Sequence, residues 1–220
     1  MDGKNDQNVF SDKGMKELIY RLDGPLRWAT KENLEIVRKA DIQPGWRVLD
    51  VGGGTGYISI PLAMAVRPNG CVYSVDQVAQ LQEVIKQKAK KMGLENQIKL
   101  VPSEVSSLPF PDNHFDAVLS SYLFHELPDS APKVLKELYR VLKPGKKVVI
   151  ADFRRIEDAE RREEIEKWYR KQNVEGIEDD EDIHLRFSLK DLEAMLLAAG
   201  FHHIEVSTWL EFHMHGEAVK

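Results

Sequence analysis

Arg47-Val48-Leu49-Asp50-Val51-Gly52-Gly53-Gly54-Thr55-Gly56 runs an apolar, β-branched segment that includes an acid into a loop dominated by glycine. The apolar part reads as a strand and the glycines as the sharp turn after it, where backbone can approach a ligand that a Cβ would repel. In an open α/β sheet such a loop lies at the carboxyl end of a strand, the place where ligands bind. The spacing excludes two common phosphate loops. Counted from Gly52, the third glycine of G-x-G-x-x-G would fall on Tyr57, and no Gly-Lys-Ser/Thr follows. Asp50, just before the glycines, would repel a pyrophosphate and suits a cationic ligand instead.

Working outward, short β-branched strands alternate with helical patterns, the signature of a parallel sheet covered on both faces. Residues 1–43 read as a helical arm, with an amphipathic stretch at Met15, Leu18, Ile19 and Leu22 and a helix around 28–40. Residues 44–152 form the core, with strands at 47–51, 71–76, 98–101, 115–121 and 147–152. Helices are expected near 59–66 and 77–92, and from a Ser130 cap through Leu142. Residues 153–186 are a highly charged helical insertion, with a helix over 157–171 and an acidic run at 178–182 that reads as a solvated loop. Ser188-Leu189-Lys190-Asp191 has the form of a capping box, opening a helix that stops at Gly200. Strands at 204–209 and 212–219 close the chain. The expectation is one α/β domain over 1–220: a Rossmann-like, doubly wound sheet of seven strands, mostly parallel with a C-terminal antiparallel hairpin.

Asp76, ending the second strand, can accept hydrogen bonds from both hydroxyls of a ribose; it could equally cap the helix beginning at Gln77. Together, Asp50-Val-Gly-Gly-Gly-Thr-Gly56, Asp76, Leu108-Pro-Phe-Pro-Asp-Asn-His-Phe-Asp116 and Val141-Leu-Lys-Pro-Gly145 resemble class I methyltransferases that use S-adenosyl-L-methionine (SAM). The similarity is to the branch containing the ubiquinone/menaquinone C-methyltransferases, and it spans about 44–151 plus the 187–201 helix. It implies transfer of a methyl group to a small-molecule acceptor, leaving S-adenosyl-L-homocysteine. It also implies a cofactor set of Asp50, Gly52, Gly53, Gly54, Thr55, Asp76, Gln77, Glu104, Val105 and Ser121, with Glu104 and Val105 at adenine and Ser121 at the methionine end.

Past the fourth strand stand Tyr122, His125 and Glu126. His125 titrates near neutrality and is the candidate base or acceptor-orienting group; Tyr20, Trp28, Tyr122 and Glu126 are further acceptor-site candidates. Tyr20 and Trp28 with Trp168 and Tyr169 could form an aromatic lid, and residues 1–27 and 153–186 are expected to close over the acceptor. His213 and His215 fall on one face of a strand, but with no nearby carboxylate or thiol at ligand spacing they read as solvent-facing, and no metal is expected.

The formal net charge of −5 among 220 residues argues against a general nucleic-acid binder. A single cysteine, Cys71, leaves no internal disulfide and reads as a buried strand thiol. No apolar run reaches the ~20 residues of a membrane span, and the polar start fits a cytoplasmic protein; a homodimer is among the expectations. Two rival functions compete: aminopropyl transfer from decarboxylated SAM, and a silent SAM-binding scaffold.

Overall fold

The computed structural model describes residues 12–171 and 186–220. The arm comprises helices α1 (Asp12–Asp23), α2 (Pro25–Ala29) and α3 (Glu32–Lys39). The core continues through β1 (Arg47–Val51), α4 (Ser59–Ala65), β2 (Cys71–Asp76), α5 (Ala79–Met92), β3 (Ile98–Pro102), β4 (Phe115–Ser121), α6 (Ala131–Val141) and β5 (Leu142–Phe153). Then follow α7 (Ala159–Lys171), α8 (Leu189–Ala199), β6 (His202–Trp209) and β7 (His213–Val219).

The seven strands form one sheet in the order β3-β2-β1-β4-β5-β7-β6. β1 to β5 run parallel, and β7 pairs antiparallel with both β5 and β6. Alternation along β1 divides the core. Leu49 and Val51 pack with α6 and α8 through Leu135, Leu138, Leu192 and Leu196. Val48 faces the opposite layer, where Ile36 of α3 and Leu62 of α4 lie. The order reverses between β1 and β4, which opens the crevice where an α/β sheet takes its ligand.

Local chemistry accounts for most element ends. Ser188 Oγ accepts the Asp191 N–H while the Asp191 carboxylate accepts the Ser188 N–H, so the capping box is formed. Pro61 occupies the first turn of α4, where its missing N–H costs nothing.

Four expectations are corrected. The helix around 28–40 is two helices, because Lys31 adopts φ 54° and breaks the ladder. Ser130 precedes α6 without a side-chain cap. The fifth strand begins at Leu142 rather than 147, because Leu142 already pairs with Phe115 of β4 ahead of a register shift. Cys71 is half-buried rather than buried. The acidic run 178–182 lies outside the described residues, as do the side chains of Trp168 and Tyr169.

Candidate cofactor and acceptor site

The glycine loop is held from below by β2. The N–H groups of Gly52 and Gly53 both donate to Val75 O, at 2.9 and 3.0 Å. Two glycines are required for different reasons. A Cβ on Gly53 would stand 1.9 Å from Ser74 Oγ, so this position is closed by the core. Gly54 has φ +50°, and its Cβ direction is open, with Leu22 of α1 the nearest side chain at 3.9 Å. Gly54 is therefore the face of the loop that a ligand can approach.

Asp76 joins the second strand to that face. Its Oδ2 accepts the Gly54 N–H at 2.9 Å and its Oδ1 the Val78 N–H at 2.8 Å. The second bond turns the chain so that α5 begins at Ala79, two residues beyond Gln77, and leaves Gln77 exposed. Each carboxylate oxygen keeps acceptor capacity for a hydroxyl.

Asp50 lies under the loop, 1% exposed, with its Oδ2 accepting a short hydrogen bond from Ser59 Oγ, itself 2.9 Å from Ser74 Oγ. Burial pushes its pKa up to about 7; the Ser59 hydrogen bond opposes this and the Asp76 charge adds to it. Asp50 Oδ1 and Thr55 Oγ1 are buried without a hydrogen-bond partner. Orphaned polar atoms of this kind, beside an open glycine, fit a ligand carrying a positive charge and hydrogen-bonding groups, as SAM does. Ser121, 7% exposed, closes β4 beside this crevice, while Glu104 and the half-buried Val105 follow β3 on its far side.

The acceptor candidates separate. Tyr20 is 70% exposed on α1. Trp28 donates its indole N–H to Asp23 at 2.9 Å and packs edge-on against Tyr57. Lys88 bridges Asp23 and Thr55 O, at 2.6 and 2.8 Å, tying the arm to the loop. Tyr122 contacts Tyr57 and Phe153, completing an aromatic wall above β1, β4 and β5.

His125 is anchored by Asp152, the penultimate residue of β5, which is fully buried. Asp152 accepts the Phe124 and Phe153 N–H groups at 2.6 and 2.7 Å, and its Oδ1 lies 2.6 Å from His125 Nδ1. Burial works to lower the His125 pKa, but the Asp152 charge and hydrogen bond, helped by Glu126, outweigh it and raise it to about 9. Both ring nitrogens are engaged, Nε2 with Glu126 Oε1 at 3.2 Å. Asp152 escaped the sequence reading, although an acid closing a strand is the same signal that singled out Asp76.

The solvent-facing reading of His213 and His215 is also corrected. His215 is 1% exposed and its Nε2–H donates to Glu32 Oε1 at 2.8 Å. His213 Nδ1 lies 2.9 Å from Glu32 Oε2 and from Tyr122 OH, and that hydroxyl donates a short hydrogen bond to the same carboxylate oxygen. The carboxylate comes from α3, far away in the chain, so no spacing near the histidines could announce it. Among the described residues no group of three or more His, Cys, Asp or Glu is arranged to hold a metal ion, and no helix is long and apolar enough to cross a membrane.

Comparison with known proteins points to one family of methyltransferases. The family model for the ubiE/COQ5 methyltransferase family matches residues 27–174. The chain is 42% identical over 139 residues to the demethylmenaquinone methyltransferase of Geobacillus stearothermophilus, covering 63% of this chain and 57% of that one. It is 39% identical over 127 residues to the 2-phytyl-1,4-naphtoquinone methyltransferase of Trichormus variabilis, covering 58% and 55%. The chain thus spans about half the length of the curated relatives it matches. Among solved structures, a SAM-dependent methyltransferase from Aquifex aeolicus superposes with TM-score 0.72 at 25% identity, over 91% of this chain and 95% of that one. Phosphoethanolamine N-methyltransferase 2 of Haemonchus contortus, solved with SAM, gives TM-score 0.72 at 18% identity over 98% and 58%, a likeness of fold alone. With the family match covering most of the sheet and the whole glycine loop, this chain belongs to the ubiE/COQ5 methyltransferase family.

Proposed function

We propose that the chain is a SAM-dependent methyltransferase whose acceptor is a small aromatic molecule of the quinone or quinol type. The observation that carries the reading is the polar cradle at the β1 and β2 ends: an open Gly54 pinned by Asp76, with Asp50 and Thr55 each holding a buried unpartnered oxygen. The names of the relatives support the acceptor class, and the wall of Trp28, Tyr57, Tyr122 and Phe153 offers ring faces to a flat molecule. No observation favours aminopropyl transfer or a silent scaffold.

SAM supplies an electrophilic methyl group on a sulfonium. The chain's part is to align acceptor and methyl and to exclude water. Asp76 would receive the ribose hydroxyls, Glu104 and Val105 would border the adenine, and Asp50, with Thr55 and Ser121, would lie at the charged methionine end. The arm, tied down through Asp23 and Lys88, would cover the loop with Leu22. Incubating the chain with methyl-labelled SAM and a reduced, ring-unsubstituted naphthoquinone should label the ring. Label appearing only in other small molecules of a cell extract would refute the quinol class. No label in either would refute methyl transfer.

Asp76→Ala should weaken SAM binding by about 10- to 150-fold, the loss of hydrogen bonds to a charged group. Calorimetric titration of the folded variant checks this, and unchanged affinity would remove Asp76 from the ribose.

A further inference from the structure

The guanidinium of Arg27, on α2, sits between two tyrosine rings, with Cζ 4.4 Å from the centroids of both Tyr57 and Tyr122. Tyr57 immediately follows the glycine loop of β1 and Tyr122 immediately follows Ser121 of β4. The cation therefore spans the seam where the strand order reverses. Neither ring is free to turn away. Tyr57 OH donates to Arg27 O at 3.1 Å and accepts the Asn33 N–H at 3.2 Å, while Tyr122 OH is bound to Glu32.

What the guanidinium lacks is an anion. Its Nε is buried without an acceptor, and among the described residues it makes no hydrogen bond or ion pair. The nearest carboxylates are engaged elsewhere, Glu32 by two histidines and Asp152 by His125 and backbone N–H groups. The two ring centroids lie 6.4 Å apart, so the rings hold the guanidinium in a corner and offer it π-faces rather than acceptor oxygens. Its planar fork of N–H donors matches two oxygens of a carboxylate, or one phenolate oxygen, in geometry a lysine cannot reproduce. Glu32 and Asp152 act on the cation through space without a hydrogen bond to it, and a buried cation with no directly bonded anion is costly, a cost that an oxyanion arriving with a ligand would relieve.

We infer that Arg27 is the receptor for an oxyanion held over the ends of β1 and β4, a role that rests on the proposed SAM site. Two sources share this chemistry: the methionine carboxylate of the donor and the deprotonated hydroxyl of the acceptor. The first lies nearer the seam, because Ser121 borders the methionine end in the proposed site. It would also make Arg27 the residue that selects SAM over its decarboxylated form.

The test is calorimetric titration of the full chain and of Arg27→Met and Arg27→Lys with SAM and with decarboxylated SAM, alongside thermal melting. The wild type should prefer SAM. Arg27→Met should lose about 10- to 150-fold in SAM affinity while holding decarboxylated SAM within about twofold of wild type, and Arg27→Lys should fall between. If the acceptor is the source, SAM affinity stays and the KM for 1,4-naphthoquinol rises at least about tenfold with kcat little changed. Equal weakening of both donors would reduce Arg27 to a packing residue and overturn the inference. So would folded variants with unchanged affinities and KM, and Arg27→Lys carries the test if Arg27→Met does not fold. A wild type that binds neither donor would instead overturn the SAM reading and the inference with it.

Discussion

Glu32→Ala should lower the free energy of unfolding by about 3–5 kcal/mol, the usual consequence of removing one partner from a buried charged cluster. Glu32 is 1% exposed on α3 and holds His213, His215 and Tyr122 with its two oxygens. Its loss leaves two imidazoles and a phenol facing a cavity, and it releases the arm from the β7 end of the sheet. Burial works to raise the Glu32 pKa, but the hydrogen bonds from His213 and His215, the His213 charge and the Tyr122 hydrogen bond outweigh it and hold it at about 2, against an ordinary 4.5. The folded value is the lower one, so this contribution is present above about pH 4.5 and disappears as the pH falls through 2. By linkage it is worth about 3 kcal/mol. Urea unfolding of wild type and variant should show a wide gap at pH 7 that narrows toward pH 3. A gap under about 1 kcal/mol at pH 7 would show that the cluster contributes little to holding the arm.

The contrast between Asp76 and Glu32 shows what a sequence of this kind reveals. Asp76, the glycine loop and the Ser188–Asp191 capping box are local: strand, turn and cap follow one another within a few residues, so their geometry is written in adjacent side chains. Most of the seven-stranded sheet was legible for the same reason, since β1, β2, β3, β5 and β6 each carry at least two β-branched residues, whereas β4 and β7 carry only Val118 and Val219. Glu32 with His213 and His215, and Arg27 between Tyr57 and Tyr122, join residues that only the sheet order brings together. No periodicity reports such a meeting. Errors within elements had local causes that composition hides, such as the left-handed Lys31 that divides α2 from α3. The histidines were misjudged because alternation gives the face on which a ring lies, not whether a helix from the arm covers that face.

His125→Ala should reduce turnover by about 10²–10³-fold, the cost of removing one charged donor aimed at developing negative charge, with SAM affinity within a few-fold of wild type. The sequence left open whether His125 is a base or an orienting group, and the geometry favours a proton held rather than taken. Nδ1 faces Asp152 at 2.6 Å and Nε2 faces Glu126 at 3.2 Å, so neither nitrogen offers a lone pair while the ring is charged. Glu126 is exposed and can yield its place to an acceptor oxygen, which the imidazolium would then favour in its deprotonated form. With a pKa raised to about 9, the charged ring is present below that pH and lost above it. Turnover that depends on His125 should therefore fall as the pH rises through about 9, whereas a general base would lose activity on the acid side of its pKa. Asp152→Asn removes the charge that raises this pKa, so the falling limb should move toward the ordinary 6.5 of a histidine while His125 itself is still present. Steady-state rates across pH for wild type, His125→Ala and Asp152→Asn separate the two roles. A wild-type limb that rises through the same region, or one that stays in place in Asp152→Asn, would exclude the imidazolium.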